Sequence, residues 1–210
     1  MLLSLPKEQF YLFRKIVYST VRVTNPRSGN CGTGVLISAD GLILTASHVL
    51  RSDETPEISP CRLRKDWSIA FLKSHKAEVI FRDRKLDIAV LRCRAAAVRS
   101  KPAKIRFGDV KIGTGVYRVG MDDVPLATGH VHAFNFDGPF RRLVISIIFD
   151  CGASGGPIFD ERLKLIGIVQ SGLRARRPPP EAFVIPVDAV RGHVFCHETV
   201  WPLLPEHLRL

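Results

Sequence analysis

Gly32 to Leu50 reads G-T-G-V-L-I-S-A-D-G-L-I-L-T-A-S-H-V-L. Two β-rich runs, Gly34 to Ser38 and Leu42 to Ala46, flank Ala39-Asp40-Gly41, and apolar runs on either side of an Asp-Gly turn predict a β-hairpin. Upstream, T-V-R-V-T at Thr20 to Thr24 alternates with the two-residue period of a strand. Downstream, strands are predicted at Ser68 to Lys73, Ala77 to Arg82 and Ile88 to Cys93. Arg94 to Lys104 breaks this rhythm and reads as a linker. Short strands then resume around Gly115 to Val119, Leu126 to Ala133, Leu143 to Phe149, Ile158 to Phe159, Leu163 to Gln170 and Phe183 to Val187. Short strands separated by turns, without strand–helix alternation, define an all-β chain of barrel or sandwich architecture. Helices are predicted only near the ends. Pro6 to Tyr18 carries Phe10, Phe13 and Val17 on one face, and Asp188 to Phe195 closes the pattern.

With 210 residues, 46% of them hydrophobic, the chain has material for one compact domain or two small barrels. Its longest relevant apolar run, Leu143 to Phe149, is far too short to span a bilayer. The start, M-L-L-S-L-P-K-E-Q-F, lacks a basic leader and is interrupted by Pro6, Lys7 and Glu8, so a cytoplasmic location is expected. The five cysteines are odd in number and scattered, with no C-x-x-C pair, which argues against a metal site and against structural disulfides. His130 and His132 fall on one strand face with no third ligand nearby, and read as surface or turn residues. The net charge of +11 is spread along the chain, with a tight cluster only at Arg174, Arg176 and Arg177. Without a base-stacking signature it reads as a basic surface, and nucleic acid is not expected as a partner.

Three stretches carry chemistry: T-A-S-H at Thr45 to His48, L-D-I-A-V-L at Leu86 to Leu91, and G-A-S-G-G-P at Gly152 to Pro157. A serine hydroxyl is a feeble nucleophile unless a base lies within hydrogen-bond reach, and that base needs an acid to orient it. His48, Asp87 and Ser154 supply the three roles. The glycines around Ser154 permit a tight turn whose N–H groups, those of Gly152 and Ser154, can hold an oxyanion. G-A-S-G-G also fits a nucleophile elbow with Asp188 and His193 following it. That reading requires a helix directly after the serine, which Gly155, Gly156 and Pro157 would break.

On these motifs the chain resembles trypsin-like peptidases, and within them it is most similar to the high-temperature-requirement (HtrA) branch. The resemblance runs from Gly32 to Val190 and includes L-I-G-I-V-Q-S-G at Leu165 to Gly172 and F-V-I-P-V at Phe183 to Val187. It implies two six-stranded antiparallel barrels in a single peptidase domain over residues 1–210. The first barrel would span about 19–93, the linker 94–104, the second barrel about 105–190, and the closing helix and tail 188–210. His48 and Asp87 would come from the first barrel and Ser154 from the second. Gln170, Ser171 and Gly172 would form the edge that pairs with extended substrate, Ile148 the floor of the specificity pocket, and Phe183 to Ile185 a wall.

Two departures from the family pattern matter. Too few residues follow the predicted closing helix for the carboxy-terminal peptide-binding domain usual in that branch. Ala153 stands where zymogen-activated relatives place aspartate. The expectation is therefore a cofactor-free serine endopeptidase cutting proteins or peptides after small or medium aliphatic residues. It would be competent without a freed amino terminus, or be switched by a protein partner or peptide that orders the loop Gly172 to Glu181. The second reading is a gated protease serving as a peptide-binding or chaperone-like module.

Overall fold

The structure, a computed structural model, describes residues 7–50, 55–120, 126–136, 138, 140–147, 151–172 and 182–209. The amino-terminal helix α1 (Lys7–Val17) buries Phe13, Ile16 and Val17 along one stripe, as its sequence periodicity requires. Strands β1 (Thr20–Thr24), β2 (Cys31–Leu36), β3 (Leu42–Ala46), β4 (Glu57–Leu63), β5 (Ile69–Phe71), β6 (His75–Lys76), β7 (Glu78–Asp83) and β8 (Ile88–Arg92) follow. They form an eight-stranded sheet of order β5-β4-β1-β2-β3-β8-β7, with β6 also on β4. The hairpin at residues 39–41 forms as read: Gly41 has φ 89°, and its N–H donates to Ser38 O at 3.2 Å.

A short helix, α2 (Arg94–Ala97), opens the connection to the second half. There β9 (Gly115–Val119), β10 (Leu126–Asn135), β11 (Arg142–Ile145), β12 (Pro157–Asp160), β13 (Leu165–Gly172) and β14 (Ala182–Pro186) close into a barrel of order β10-β11-β14-β13-β12-β9. Helix α3 (Val187–Val190) runs on into a wider helical turn at Arg191–Phe195. The second half is thus the six-stranded barrel the resemblance implied. The first half differs in detail: it has eight strands, and among the described residues no ladder joins β5 to β7.

Alternation along the strands explains how the halves join. In β3 and β8, Leu42, Leu44, Ile88 and Val90 face a core shared with Val119, Phe159, Ile168 and Ile185 of the barrel. Their neighbours Ile43, Ala89 and Leu91 fill a core internal to the first half. Both faces of these strands are covered, so they read as unbroken apolar runs, and L-I-L-T-A is buried at every position. A third core, with Val116, Val131, Ile145, Ile158 and Val184, fills the barrel.

All five cysteines are present as thiols. Burial pushes the Cys61 thiol up to about 12, and burial also raises that of Cys93. A thiol is nucleophilic only as thiolate, so both are expected to resist alkylation at pH 8 while exposed Cys151 and Cys196 react. Peptide mapping after iodoacetamide treatment of the native protein checks this; labelling of Cys61 at the rate of Cys196 would contradict the packing described.

Candidate active site

The register of β3 against β8 pairs Ala46 with Ile88, which brings the residues just beyond, Ser47–His48 and Asp87, to the same sheet end. Asp87 sits in the left-handed region at φ 58°, a conformation that Asp tolerates better than most side chains. In this pose its backbone carbonyl accepts from Ser47 N at 3.1 Å, and its carboxylate accepts from His48 N at 2.9 Å. The His48 ring completes the grip, with Nδ1 at 3.0 and 2.9 Å from the two Asp87 oxygens. The His48 side chain is 46% exposed and that of Asp87 only 16%, so the ring reaches solvent while the acid is shielded behind it. Arg82 buttresses this turn by donating to Ser47 Oγ at 3.2 Å, to Ser47 O at 3.2 Å and to Leu50 O.

Ser154 lies on a turn between Gly152, at φ 99°, and Gly155, at φ 78°. Two hydrogen bonds from one residue of the first half hold this turn: Thr33 N donates to Ser154 O at 2.8 Å, and Thr33 Oγ1 to Gly152 O at 2.7 Å. Thr45 Oγ1 in turn donates to Thr33 O at 2.7 Å. Gly155 is obligatory here, because any Cβ would strike the Thr33 carbonyl and Thr45 Oγ1 and would lie 2.8 Å from Ala46 N. The serine turn therefore abuts the end of β3 that leads into His48. Among the described residues, no hydrogen bond joins Ser154 Oγ to His48, and the N–H groups of Gly152 and Ser154 donate to no acceptor.

The other expected site residues fare differently. Ile148 and the loop Arg174 to Pro180 lie outside the described residues. Gln170 falls at an irregularity in the β13–β14 ladder, between the pairs Val169–Val184 and Ser171–Phe183. Its Oε1 accepts from Arg142 at 3.1 Å. Strand β12 accompanies β13 only as far as Pro157–Ile168, so from Gln170 to Gly172 that edge of β13 has no strand beside it among the described residues. Phe183 is half-buried beneath the Arg142 guanidinium, 5.1 Å from its ring centre. Ile185 does not fit its expected place: it is fully buried in the shared core and presents no surface for a substrate. The reason is strand alternation, which sends Phe183 and Ile185 to the same side but leaves only the former near the open edge. Thr33, Arg82 and Arg142 escaped the sequence reading, since single polar residues inside strands carry no motif, and Thr45 was read only as the start of T-A-S-H.

A histidine–carboxylate pair on one β-rich half, facing a glycine-framed serine turn on a β-barrel half, defines the trypsin-like class. The trypsin-like peptidase domain family matches residues 32–168, and the chain belongs to that family. A probable periplasmic serine endoprotease DegP-like of Halomonas elongata is 30% identical over 168 residues, covering 75% of this chain and 33% of that protein. Serine protease HTRA1 of Xenopus tropicalis is 28% identical over 175 residues, covering 76% of this chain and 34% of that protein. The chain thus spans about a third of the length of the curated relatives it matches. A serine endoprotease crystal structure from Yersinia pestis superposes with TM-score 0.71 at 23% identity, over 90% of this chain and 65% of that one. The cytoplasmic expectation does not stand, because the Halomonas relative is described as periplasmic. An odd cysteine count and an unremarkable start are compatible with either compartment. No described helix is long and apolar enough to cross a membrane, which says nothing of a crossing by strands.

The Thr33 clamp generates a test. Thr33→Val keeps the shape of the side chain but leaves the buried Gly152 carbonyl without its donor, at an expected cost of ~1–2 kcal/mol. For a chain of this size that is a fall in Tm of roughly 2–8 °C. Thr33→Ser, which retains the hydroxyl, is expected to recover most of it. Equal melting of wild type and Thr33→Val in calorimetry would show that the bond holds nothing.

Proposed function

We propose that this chain is a serine endopeptidase acting through an acyl-enzyme, with His48, Asp87 and Ser154 as its triad. The observation that carries this is the grip of both Asp87 oxygens on His48 Nδ1, beside a serine turn clamped to the same strands. A carboxylate on Nδ1 fixes the proton there and leaves Nε2 as a base for the Ser154 hydroxyl. Rotation of Ser154 Oγ toward Nε2 on substrate binding makes the remaining hydrogen bond, which is often long or unformed in empty sites. Oγ then adds to the scissile carbonyl while its proton passes to His48. The oxyanion is received by the N–H groups of Gly152 and Ser154, which donate to no acceptor among the described residues, in keeping with this role. His48 next protonates the leaving amine, and water, deprotonated by His48, releases the acyl group. No cofactor takes part in these steps.

Extended substrate is proposed to pair, as an added strand, with the edge of β13 from Gln170 to Gly172 that has no strand beside it among the described residues. By the resemblance Ile148 would form the pocket floor, and with the half-buried Phe183 this is the basis for proposing small or medium aliphatic residues before the cut. Ala153 is buried, so an inserted terminal ammonium would be an unpaired buried charge there. Competence is accordingly proposed to be independent of a freed amino terminus, with the loop Gly172 to Glu181, and a partner or peptide that orders it, as the switch. The gated, chaperone-like reading is not favoured by any contact at the site.

Labelling of the intact chain by a fluorophosphonate probe, before and after amino-terminal trimming, is expected to mark Ser154 in both. Labelling that appears only after trimming would overturn the activation model. Ser154→Ala and His48→Ala are each expected to lower kcat by about six orders of magnitude, since the members act as a unit. Asp87→Asn is expected to cost about four, through the wrong imidazole tautomer. Near-normal turnover by Ser154→Ala would refute the assignment.

In a peptide-library profile, aliphatic residues are expected to dominate the position before the cut. Discrimination within that set should stay at ~10–200-fold, the range available to an apolar pocket. A profile dominated by Arg and Lys would overturn the pocket.

A further inference from the structure

A cavity of about 490 Å³ lies among helix α1, the connection Lys101–Lys104 and the turn between β12 and β13. No member of the proposed triad lines it. Its volume falls within the ~300–1,000 Å³ of small-molecule sites. The inner wall is apolar and belongs to the shared core, with Ile16 and Phe159 fully buried. The rim is cationic: Arg14, Lys15, Lys101, Lys104 and Arg162 all line it and all are exposed.

Among the described residues no acidic side chain lines this cavity, and none of the five cations forms an ion pair. Elsewhere guanidinium groups have carboxylate partners, as in Arg92–Glu78, Arg106–Asp160 and Arg141–Asp109. Of the two acids that precede Arg162, Glu161 lies with its carboxylate against Gly115, and Asp160 is committed: Oδ2 takes Arg106, and Oδ1 takes the N–H groups of Arg162 and Lys164. Like charges gathered around one concavity with apolar walls repel one another and focus a positive potential into it. An anion placed there relieves the repulsion.

The cavity is also held open by the backbone. Lys101 N donates to Tyr18 O at 3.0 Å, Ala103 N to Leu36 O at 2.8 Å, and Leu165 N to Lys104 O at 2.7 Å. The connection is thereby tied to both halves, and no ordering of the chain is needed before a ligand enters. At the rim the Arg14 guanidinium stands 5.9 Å from the Tyr11 ring centre and 5.4 Å from that of Tyr18, and Tyr11 is 60% exposed.

We propose that this cavity binds a linear oligophosphate, the unit shared by inorganic polyphosphate and nucleoside triphosphates. Five separate cations on three elements match a chain of several charged phosphates better than a single phosphate, which two or three donors would saturate. A concave site of this size suits a small molecule, whereas a nucleic-acid strand requires an extended stripe of cations. The inference concerns a site apart from the serine turn and does not rest on the protease reading.

The test uses the full chain at low salt with EDTA present, titrated calorimetrically with tripolyphosphate and, separately, with ATP. One equivalent is expected to bind, raising Tm by mass action and weakening as salt is added. Lys101→Glu with Lys104→Glu, both on exposed side chains, is expected to weaken binding by ~30-fold or more without lowering the ligand-free Tm. Arg14→Glu with Arg162→Glu, on the other two elements, is expected to do the same. Lys73→Glu with Lys76→Glu, exposed but outside the cavity, should stay within ~2-fold. Equal affinity for the two ligands assigns the bare oligophosphate; tighter ATP binding that is lost in Tyr11→Ala assigns the nucleotide. The proposal is overturned by absence of binding, by undiminished binding in both cavity variants, or by equal losses in the control. It is likewise overturned if a single-stranded oligonucleotide binds through these residues and tripolyphosphate does not.

Discussion

Thr33 is the point on which the arrangement of the site depends. Its N–H and hydroxyl reach across to Ser154 O and Gly152 O, and its carbonyl is held from behind by Thr45. Those bonds fix the peptide groups on both sides of the one that carries the Ser154 N–H, so that donor's direction is set from the other half of the molecule. Gly155 completes the constraint by leaving room for Thr33 and Thr45 where any side chain would collide. The serine is therefore positioned by the sheet that also carries the histidine, although it belongs to the barrel.

The second constraint is burial on both faces. Because β3 and β8 pack against the barrel on one side and their own core on the other, their register is strongly specified; a slip of one residue would exchange the two cores. That register sets His48 beside Asp87. The left-handed backbone of Asp87 then lets one residue hold a main-chain N–H and an imidazole together. Cores, register and hydrogen bonds thus act in sequence, each making the next geometrically possible.

Much of this was legible in the residues. The hairpin about Gly41, the strand at Thr20–Thr24 and the apolar runs of the barrel carry strong periodic or turn signals, and the strands stand within a few residues of their expected places. Strand β4 was missed because E-I-S-P-C-R-L contains a proline, which ordinarily argues against a strand. Here Pro60 sits where β4 changes partners, pairing with β6 through Ile58 and with β5 from Cys61 onward. The two-residue β6 is too short to have any period. The chemistry-bearing motifs were visible because glycine, serine, histidine and aspartate are compositionally conspicuous. The residues that orient them were invisible, since a threonine in a strand looks the same whether or not it bonds to a residue 119 positions along the chain. Ile185 went astray for the same reason, as the sequence shows which side it faces but not what lies there.

The three backbone bonds that tie residues 101–104 to Tyr18, Leu36 and Leu165 have a mechanical consequence. Many two-lobed enzymes admit substrate by swinging the lobes apart about an interdomain hinge. In this molecule the segment that would serve as the hinge is stitched to each lobe, and the lobes share an apolar core that opening would expose to water. Rigid-body opening would forfeit both at once. Such opening is therefore opposed from both sides, and the two lobes move as one piece.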